Sequence, residues 1–253
     1  MKKYFLLPVI TIILFGINKS FAQKSVELGV KAGLSLPDLS SGNKSNPISS
    51  GYGSRLGADA AVQAEFHLSK HFSIQPQLEY SAQGGKKNGV QAFAVPAYLV
   101  SKFPSGEVPA YVYADYKSIA KMNYLMLPVL AKYGVDLGHR WGAYIAAGPF
   151  ASVLLSAKNV TRGVSNIYTD QQQTEPVTTS PMSFDNNDNI KSDLHSFNGG
   201  ISGNIGVDYK LPKSSIFIEG GGNYGLVDIQ KSSTNGKNKT GATVIDLGYQ
   251  FRL

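Results

Sequence analysis

Apolar and polar-or-small residues alternate without a break over residues 197–209. Phe197, Gly199, Ile201, Gly203, Ile205, Val207 and Tyr209 hold one parity, and Asn198, Gly200, Ser202, Asn204, Gly206 and Asp208 the other. Successive side chains of a strand point to opposite faces, so this run has one greasy face and one wet face. Other stretches repeat the pattern. Val26, Leu28, Val30, Ala32 and Leu34 oppose Glu27, Gly29, Lys31, Gly33 and Ser35, and Leu56, Ala58, Ala60, Val62, Ala64 and Phe66 oppose Arg55, Asp59, Gln63 and Glu65. Phe72, Ile74, Leu78 and Tyr80 oppose Ser73, Gln75, Gln77 and Glu79. Over 124–133 the outward set is Leu125, Leu127, Val129 and Ala131; over 141–157 it is Trp141, Ala143, Ile145, Ala151, Val153 and Leu155. A further strand covers 216–226, and the last sets Thr243, Ile245, Leu247, Tyr249 and Phe251 against Val244, Asp246, Gly248, Gln250 and Arg252.

Period 2 leaves inside and outside undecided, because a soluble lipocalin-like barrel shows the same alternation with its greasy face inward. The connections supply the direction. Segments 37–51, 83–117, 158–193 and 228–240 are long, whereas 69–71, 134–139 and 210–214 are short, and the two kinds alternate. Outer-membrane barrels join their strands by long external loops and short periplasmic turns. Each strand nears or exceeds the ~9–11 tilted residues that cross hydrocarbon. Rings gather at two levels, with Phe66, Phe72, Tyr133, Trp141, Tyr209, Tyr249 and Phe251 near the turns and Tyr52, Tyr80 and Tyr224 near the loops, as interfacial girdles do. The expected fold is all-β: an eight-stranded antiparallel up-and-down transmembrane β-barrel. A ten-stranded alternative pairs 91–100 with 110–116 as an extra hairpin, placed here in the second long loop because two more spanning strands would spoil the alternation.

Residues 1–22 read as a signal peptide. Lys2 and Lys3 precede an apolar run over 4–17, and Ser20, Phe21 and Ala22 form a small-x-small cleavage site before Gln23. The barrel domain is then 23–253, destined for the cell outer membrane. No later stretch approaches the ~20 apolar residues of a membrane helix. Charged residues are 16% of the chain, below the ~25% usual in soluble domains, as suits an outer surface in lipid. Cysteine is absent, which excludes a disulfide framework, thiolate metal sites and a lipid-modified N-terminal Cys. Of the net charge of +7, Lys2, Lys3 and Lys19 belong to the leader. No basic stripe with interleaved aromatics follows, so no nucleic acid partner is expected.

Several motifs carry no chemistry. Gly220-Gly221-Gly222-Asn223-Tyr224-Gly225 matches a dinucleotide fingerprint, but no helix follows it and no βαβ unit surrounds it. Asp185-Asn186-Asn187-Asp188-Asn189 resembles the start of a calcium loop, yet Ile190 replaces the turn glycine and Ser196 stands where the bidentate Glu belongs. Asn159-Val160-Thr161 is a glycosylation pattern only where a glycosylating pathway exists. A hydroxyl nucleophile needs a base within hydrogen-bond reach. His67, His71 and His139 sit at turns, and His195 and Ser196 are adjacent strand residues that point apart. No catalytic, cofactor or metal residue is therefore assigned.

The charges on the polar parity are more informative: Glu27, Lys31, Arg55, Asp59, Glu65, Glu79, Lys132, Asp208, Glu219, Asp246 and Arg252. An eight-stranded interior is only wide enough for side chains, and buried charges must be paired. The expected lumen is filled by a mutually paired charge network, with a gated narrow channel as the functional alternative. Closure requires the first and last strands to pair antiparallel. A register that sets Glu27 opposite Arg252 brings Lys31 opposite Gly248, with Asp246 a diagonal neighbour. A one-residue slip would send every lumen charge into lipid.

Gly29-Val30-Lys31-Ala32-Gly33-Leu34, then residues 124–133 (YLMLPVLAKY), then Gly148-Pro149-Phe150 followed by Leu154-Leu155-Ser156-Ala157-Lys158 resemble the PorT-type outer-membrane β-barrel family of Bacteroidetes-like bacteria. The resemblance covers nearly all of the mature chain. It implies an eight-stranded barrel of OmpA-like or OmpX-like size. PorT itself is linked with type IX protein secretion, a role that fold-level likeness does not transfer. The expected protein is non-enzymatic and monomeric, with a structural or recognition role through its external loops. Its expected partners are outer-membrane lipid and lipopolysaccharide, the barrel-assembly machinery, and an extracellular or periplasmic protein. A secretion accessory is the rival reading.

Overall fold

In the computed structural model the alternating stretches become long strands. It describes residues 26–41, 46–232 and 236–253, so the expected signal peptide lies outside the described residues. The long strands are β1 (Val26–Ser41), β2 (Gly57–His67), β3 (Phe72–Ala94), β4 (Tyr111–Gly138), β5 (Trp141–Arg162), β9 (Phe197–Lys210), β10 (Ser214–Gly225) and β11 (Asn238–Arg252). Three short ones, β6 (Val164–Ser165), β7 (Met182–Ser183) and β8 (Asn186–Asn189), lie in the long connection from β5 to β9. Each long strand pairs antiparallel with the next, β4 with β5 and β5 with β9 included, and β1 pairs with both β2 and β11. Eight strands thus close a ring with no free edge in the wall.

The seam register sets Glu27 opposite Arg252 and Lys31 opposite Gly248, and the Leu253 amide donates to the Val26 carbonyl at 3.0 Å. Both ends of the described chain therefore stand at the short-turn end. The turn from β4 to β5 is tighter than the sequence suggests. His139 and Arg140 form it alone, both at positive φ (49° and 72°), the backbone of a type I′ hairpin whose twist matches its strands.

Which face looks outward is settled by exposure. Ile205 and Leu247 are 65% and 62% exposed, whereas Lys31 and Asp246 are 4% and 1%. The greasy parity is a continuous outer belt and the wet parity lines the lumen, the reverse of a soluble barrel. On β4 and β5 the same parity holds, with Leu125, Leu127, Val129, Trp141, Ile145, Val153 and Leu155 outward.

The second long loop is the main departure. Most of 83–117 is strand, because β3 continues to Ala94 and β4 begins at Tyr111, with Gln91 opposite Ala114 and Lys87 opposite Ser118. The two segments of the ten-stranded alternative do pair in part, but as the far end of the same hairpin. Above the belt the outer face no longer meets lipid, so alternation of residue type fades over 83–89, although pairing persists and Lys86, Lys87 and Asn88 still run exposed, buried, exposed. On β5 the register against β4 slips between Asn123 and Tyr124, leaving Leu155 as the extra residue of a bulge. Beyond it, β5 leaves β9 and pairs with β8. Bulges bend a strand in this way.

The lumen is not uniformly polar. Met122, Tyr124, Met126 and Leu130 of β4 and Phe150 and Leu154 of β5 are buried on its inner wall. Two lumen glycines make room for rings from neighbouring strands. A Cβ on Gly248 would strike the Phe217 ring, and one on Gly206 the Tyr144 ring.

The barrel lumen and its two mouths as the candidate functional site

Two charged layers fill the lower lumen. In the central one, Lys31 Nζ lies 2.9 Å from Glu219 Oε1, 3.1 Å from Asp246 Oδ2 and 3.9 Å from Glu79 Oε2. Glu219 also accepts from Tyr144 Oη at 2.7 Å and Asn204 Nδ2 at 3.0 Å. Asp59 joins the layer through Ser81 Oγ at 2.8 Å and makes no ion pair among the described residues. One lysine therefore stands against three carboxylates, with Asp59 a fourth in the same layer, so the network is denser in acid than mutual pairing requires.

The layer nearer the turns is balanced. Arg252 donates to Glu27 Oε1 from Nε at 3.0 Å and from Nη2 at 2.8 Å. Lys132 Nζ donates to Glu65 Oε2 at 2.8 Å and sits over the Tyr144 ring at 4.0 Å. Gln250 Nε2 bridges Glu27 and Glu65 at 2.9 and 2.7 Å. Glu27, Glu65 and His67 could each aim a ligand atom at one metal ion, but the carboxylate oxygens already accept from Arg252, Lys132, Gln250 and Ser73. This layer roofs a vestibule of about 430 Å³ at the turn end, lined also by Lys70, Asp136 and Lys210.

Two of the expected network residues behave differently. Arg55 precedes β2 instead of lying on it, and its guanidinium donates to the Gln83 carbonyl from Nε and Nη2 at 3.2 and 2.7 Å. It ties the loop to β3 beside Gly84 (φ 116°), one of two positive-φ glycines in the strand, and meets a carbonyl in place of an acid. It shares the lumen parity of Asp59, Gln63 and Glu65 but sits two residues before β2 begins, so that parity does not place it in the lumen. Asp208 lines the vestibule against Gly142 and joins no ion pair among the described residues.

Above the charges the lumen turns apolar. Met122, Tyr124, Met126, Phe150 and Leu154 pack with Leu39 of β1 and with Leu194 and Ile229, which the long loops bring across the mouth. Higher still is a cavity of about 600 Å³ lined by Leu39, Ile48, Tyr52, Lys87, Phe93, Met122, Leu194 and Ile229 among others. Lys87 lies well above Tyr80, where the outward belt of β3 ends, and is 8% exposed. Its Nζ donates to the Ile48 carbonyl at 2.6 Å and stands 4.4 Å over the Tyr52 ring. Burial lowers its pKa to about 8. Lys87 falls within the long connection 83–117 expected from the sequence, yet it continues the odd-numbered inward series Ser73, Gln75, Gln77, Glu79, Ser81 and Gln83. That periodicity was the available signal.

The set-aside motifs resolve locally. The glycine run lies within β10. Residues 186–189 form the exposed strand β8, where Asn186 Nδ2 bonds Asp188 Oδ2 at 2.7 Å. Asn159 accepts from Ser118 Oγ at 3.0 Å on β5.

A closed antiparallel ring with a greasy belt outside and charges within defines an outer-membrane β-barrel. The chain belongs to the outer membrane protein beta-barrel domain family, whose model matches residues 21–231. Among solved structures it is similar to Neisserial surface protein A, at 12% identity and a TM-score of 0.39 over 89% of this chain and 97% of that one. Ail, the attachment invasion locus protein of Yersinia pestis, gives 9% and 0.38 over 89% and 98%. The outer membrane protease OmpT from Escherichia coli gives 9% and 0.35 over 94% and 99%. No curated protein matches the chain.

Proposed function

We propose that this barrel is non-enzymatic and closed, and that it serves a structural or recognition role through long loops held outside the cell. The observation that carries this reading is the filled lumen: two layers of buried charge are followed by the Met122–Phe150–Leu154 wall and its loop-borne cover. The loops are also pre-shaped. Leu99, Val112 and Ile167 share a small buried core with Phe93 and Phe184, and Phe184 stacks on Tyr116 at 4.7 Å. In this reading the leader exports the chain, the assembly machinery inserts it, and the belt of a monomer meets lipid and lipopolysaccharide. Purified protein in planar bilayers should give no discrete conductance. Stepwise currents would replace this reading with a gated channel.

The charged vestibule favours a second, PorT-type reading, in which the turn end docks a periplasmic partner of protein secretion. Gene disruption followed by an assay of exported protein tests it. Unchanged export removes the secretion role and leaves the loop-borne role standing.

A further inference from the structure

Lys87 is a buried cation without a buried anion. Its partners are the carbonyls of Ile48 (2.6 Å) and Pro47 (3.5 Å) and the Tyr52 ring, and no carboxylate lies within 4.0 Å of it among the described residues. The undescribed segments 1–25, 42–45 and 233–235 contain no Asp or Glu, so no side chain there can supply the missing charge. Of the acids at this end, Asp193 lines the cavity, but it is exposed and holds Ser192 Oγ at 3.1 Å. Charges are ordinarily buried only when paired, and ligand pockets of ~300–1,000 Å³ combine apolar walls with a small number of placed polar groups. The Lys87 cavity, about 600 Å³, mixes Leu39, Phe93, Met122, Leu194 and Ile229 with Gln91, Ser118, Asn159 and Gln230; Lys231, also in its lining, is exposed and donates to the Ser192 carbonyl at 2.7 Å, which leaves Lys87 as the buried cation.

We propose that this cavity binds an anion carrying a single apolar chain, the head group on the Lys87 ammonium and the chain against Leu39, Met122, Leu194 and Ile229. The Lys87 ammonium is a compact single point charge with rotatable donors, so it balances a small head group carrying one negative charge, the class that a carboxylate represents. Methionine is flexible and polarizable and adapts to chains of different shape, and Met122 is fully buried at the cavity wall. The site lies inside the barrel wall above the belt, away from bilayer headgroups, so the ligand is a free amphiphile reaching the long-loop mouth. With its pKa near 8, the lysine is still mostly protonated at neutral pH. The inference holds whether or not the lumen conducts.

The test is titration of the mature chain in zwitterionic nanodiscs with decanoate, with empty nanodiscs subtracted and decanol and acetate as controls. Wild type should show one saturable decanoate site, with acetate binding far more weakly. Lys87→Met should weaken decanoate by about tenfold or more, the loss expected for a charged hydrogen bond of ~1.5–3 kcal/mol, and should leave decanol unchanged. Lys87→Arg should retain most of the affinity. Ile229→Trp, which fills the cavity and keeps the lysine, should abolish binding of both chains. Heat-modifiable gel migration identifies the variants that are folded. Absence of a saturable site, equal decanoate affinity in folded Lys87→Met, or acetate binding as tightly as decanoate would each overturn the proposal. Displacement of decanoate by anionic lipid in the disc would overturn the assignment to a free amphiphile.

Discussion

At the scale of single residues, Lys31 is the pivot of the lumen. Its ammonium holds Glu219 and Asp246 and faces Glu79, all three almost fully buried. Removing one partner of a buried ion pair leaves an uncompensated charge and costs ~3–5 kcal/mol. Lys31→Met should therefore sharply lower the temperature at which the folded gel band converts to the unfolded one, and adding Glu219→Gln should recover part of the loss. No recovery in the double variant would mean that Glu219 is held chiefly by Tyr144 and Asn204. The seam pair is milder. The Arg252 side chain is 56% exposed, and such pairs are worth ~1 kcal/mol or less. Arg252→Glu should cost a few degrees of heat resistance, with Glu27→Arg partly restoring it; strictly additive damage would show that the two side chains do not meet in the membrane. The parity of Lys31, Glu79, Glu219 and Asp246 is legible in the sequence. Their convergence on one point is not, since it depends on the stagger among β1, β3, β10 and β11.

At the scale of strands, facing decides the outcome of a substitution. Ile205 lies on the belt of β9, and Arg on the lipid face costs ~2–4 kcal/mol near the midplane. Its neighbour Asn204 is buried on the lumen side, 3.0 Å from Glu219, where a cation would meet acid. Ile205→Arg should cut the yield of folded barrel well below that of Asn204→Arg; equal yields would contradict the facing. Gly206 tests close packing between β9 and β5. Gly206→Val would displace the Tyr144 ring and break its 2.7 Å bond to Glu219, at ~1–3 kcal/mol as overpacking usually costs. The readout is the urea midpoint of refolding into lipid vesicles. Gly206 and Gly248 are plain small residues in the sequence, and only the neighbouring strand reveals why each is small. Strand centres were legible because lipid on one side and charge on the other enforce alternation. The upper reaches of β3 and β4 were not, because that contrast ends where the belt ends.

At the scale of the whole molecule, ring closure leaves no edge strand of the wall free to fray, so the wall should resist mild denaturation as a unit. Unboiled protein in detergent gels should migrate apart from boiled protein, and identical migration would remove the closed-barrel reading. The sequence alone pointed to eight wall strands with ten as the alternative, to the facing of the strand centres, and to a seam register that sets Glu27 opposite Arg252, which the structure adopts. The reason is physical: a side-chain period of two leaves each residue two choices, and a one-residue slip would put every lumen charge into hydrocarbon. Tertiary structure alone decided what the inward residues do together. The gathering of three acids on Lys31, the apolar wall made by β4 and β5, and the enclosure of Lys87 arise from strands and loops far apart in the chain. Their proximity is set by stagger, by the bulge at Leu155 and by loop packing, none of which alternation along a single strand encodes.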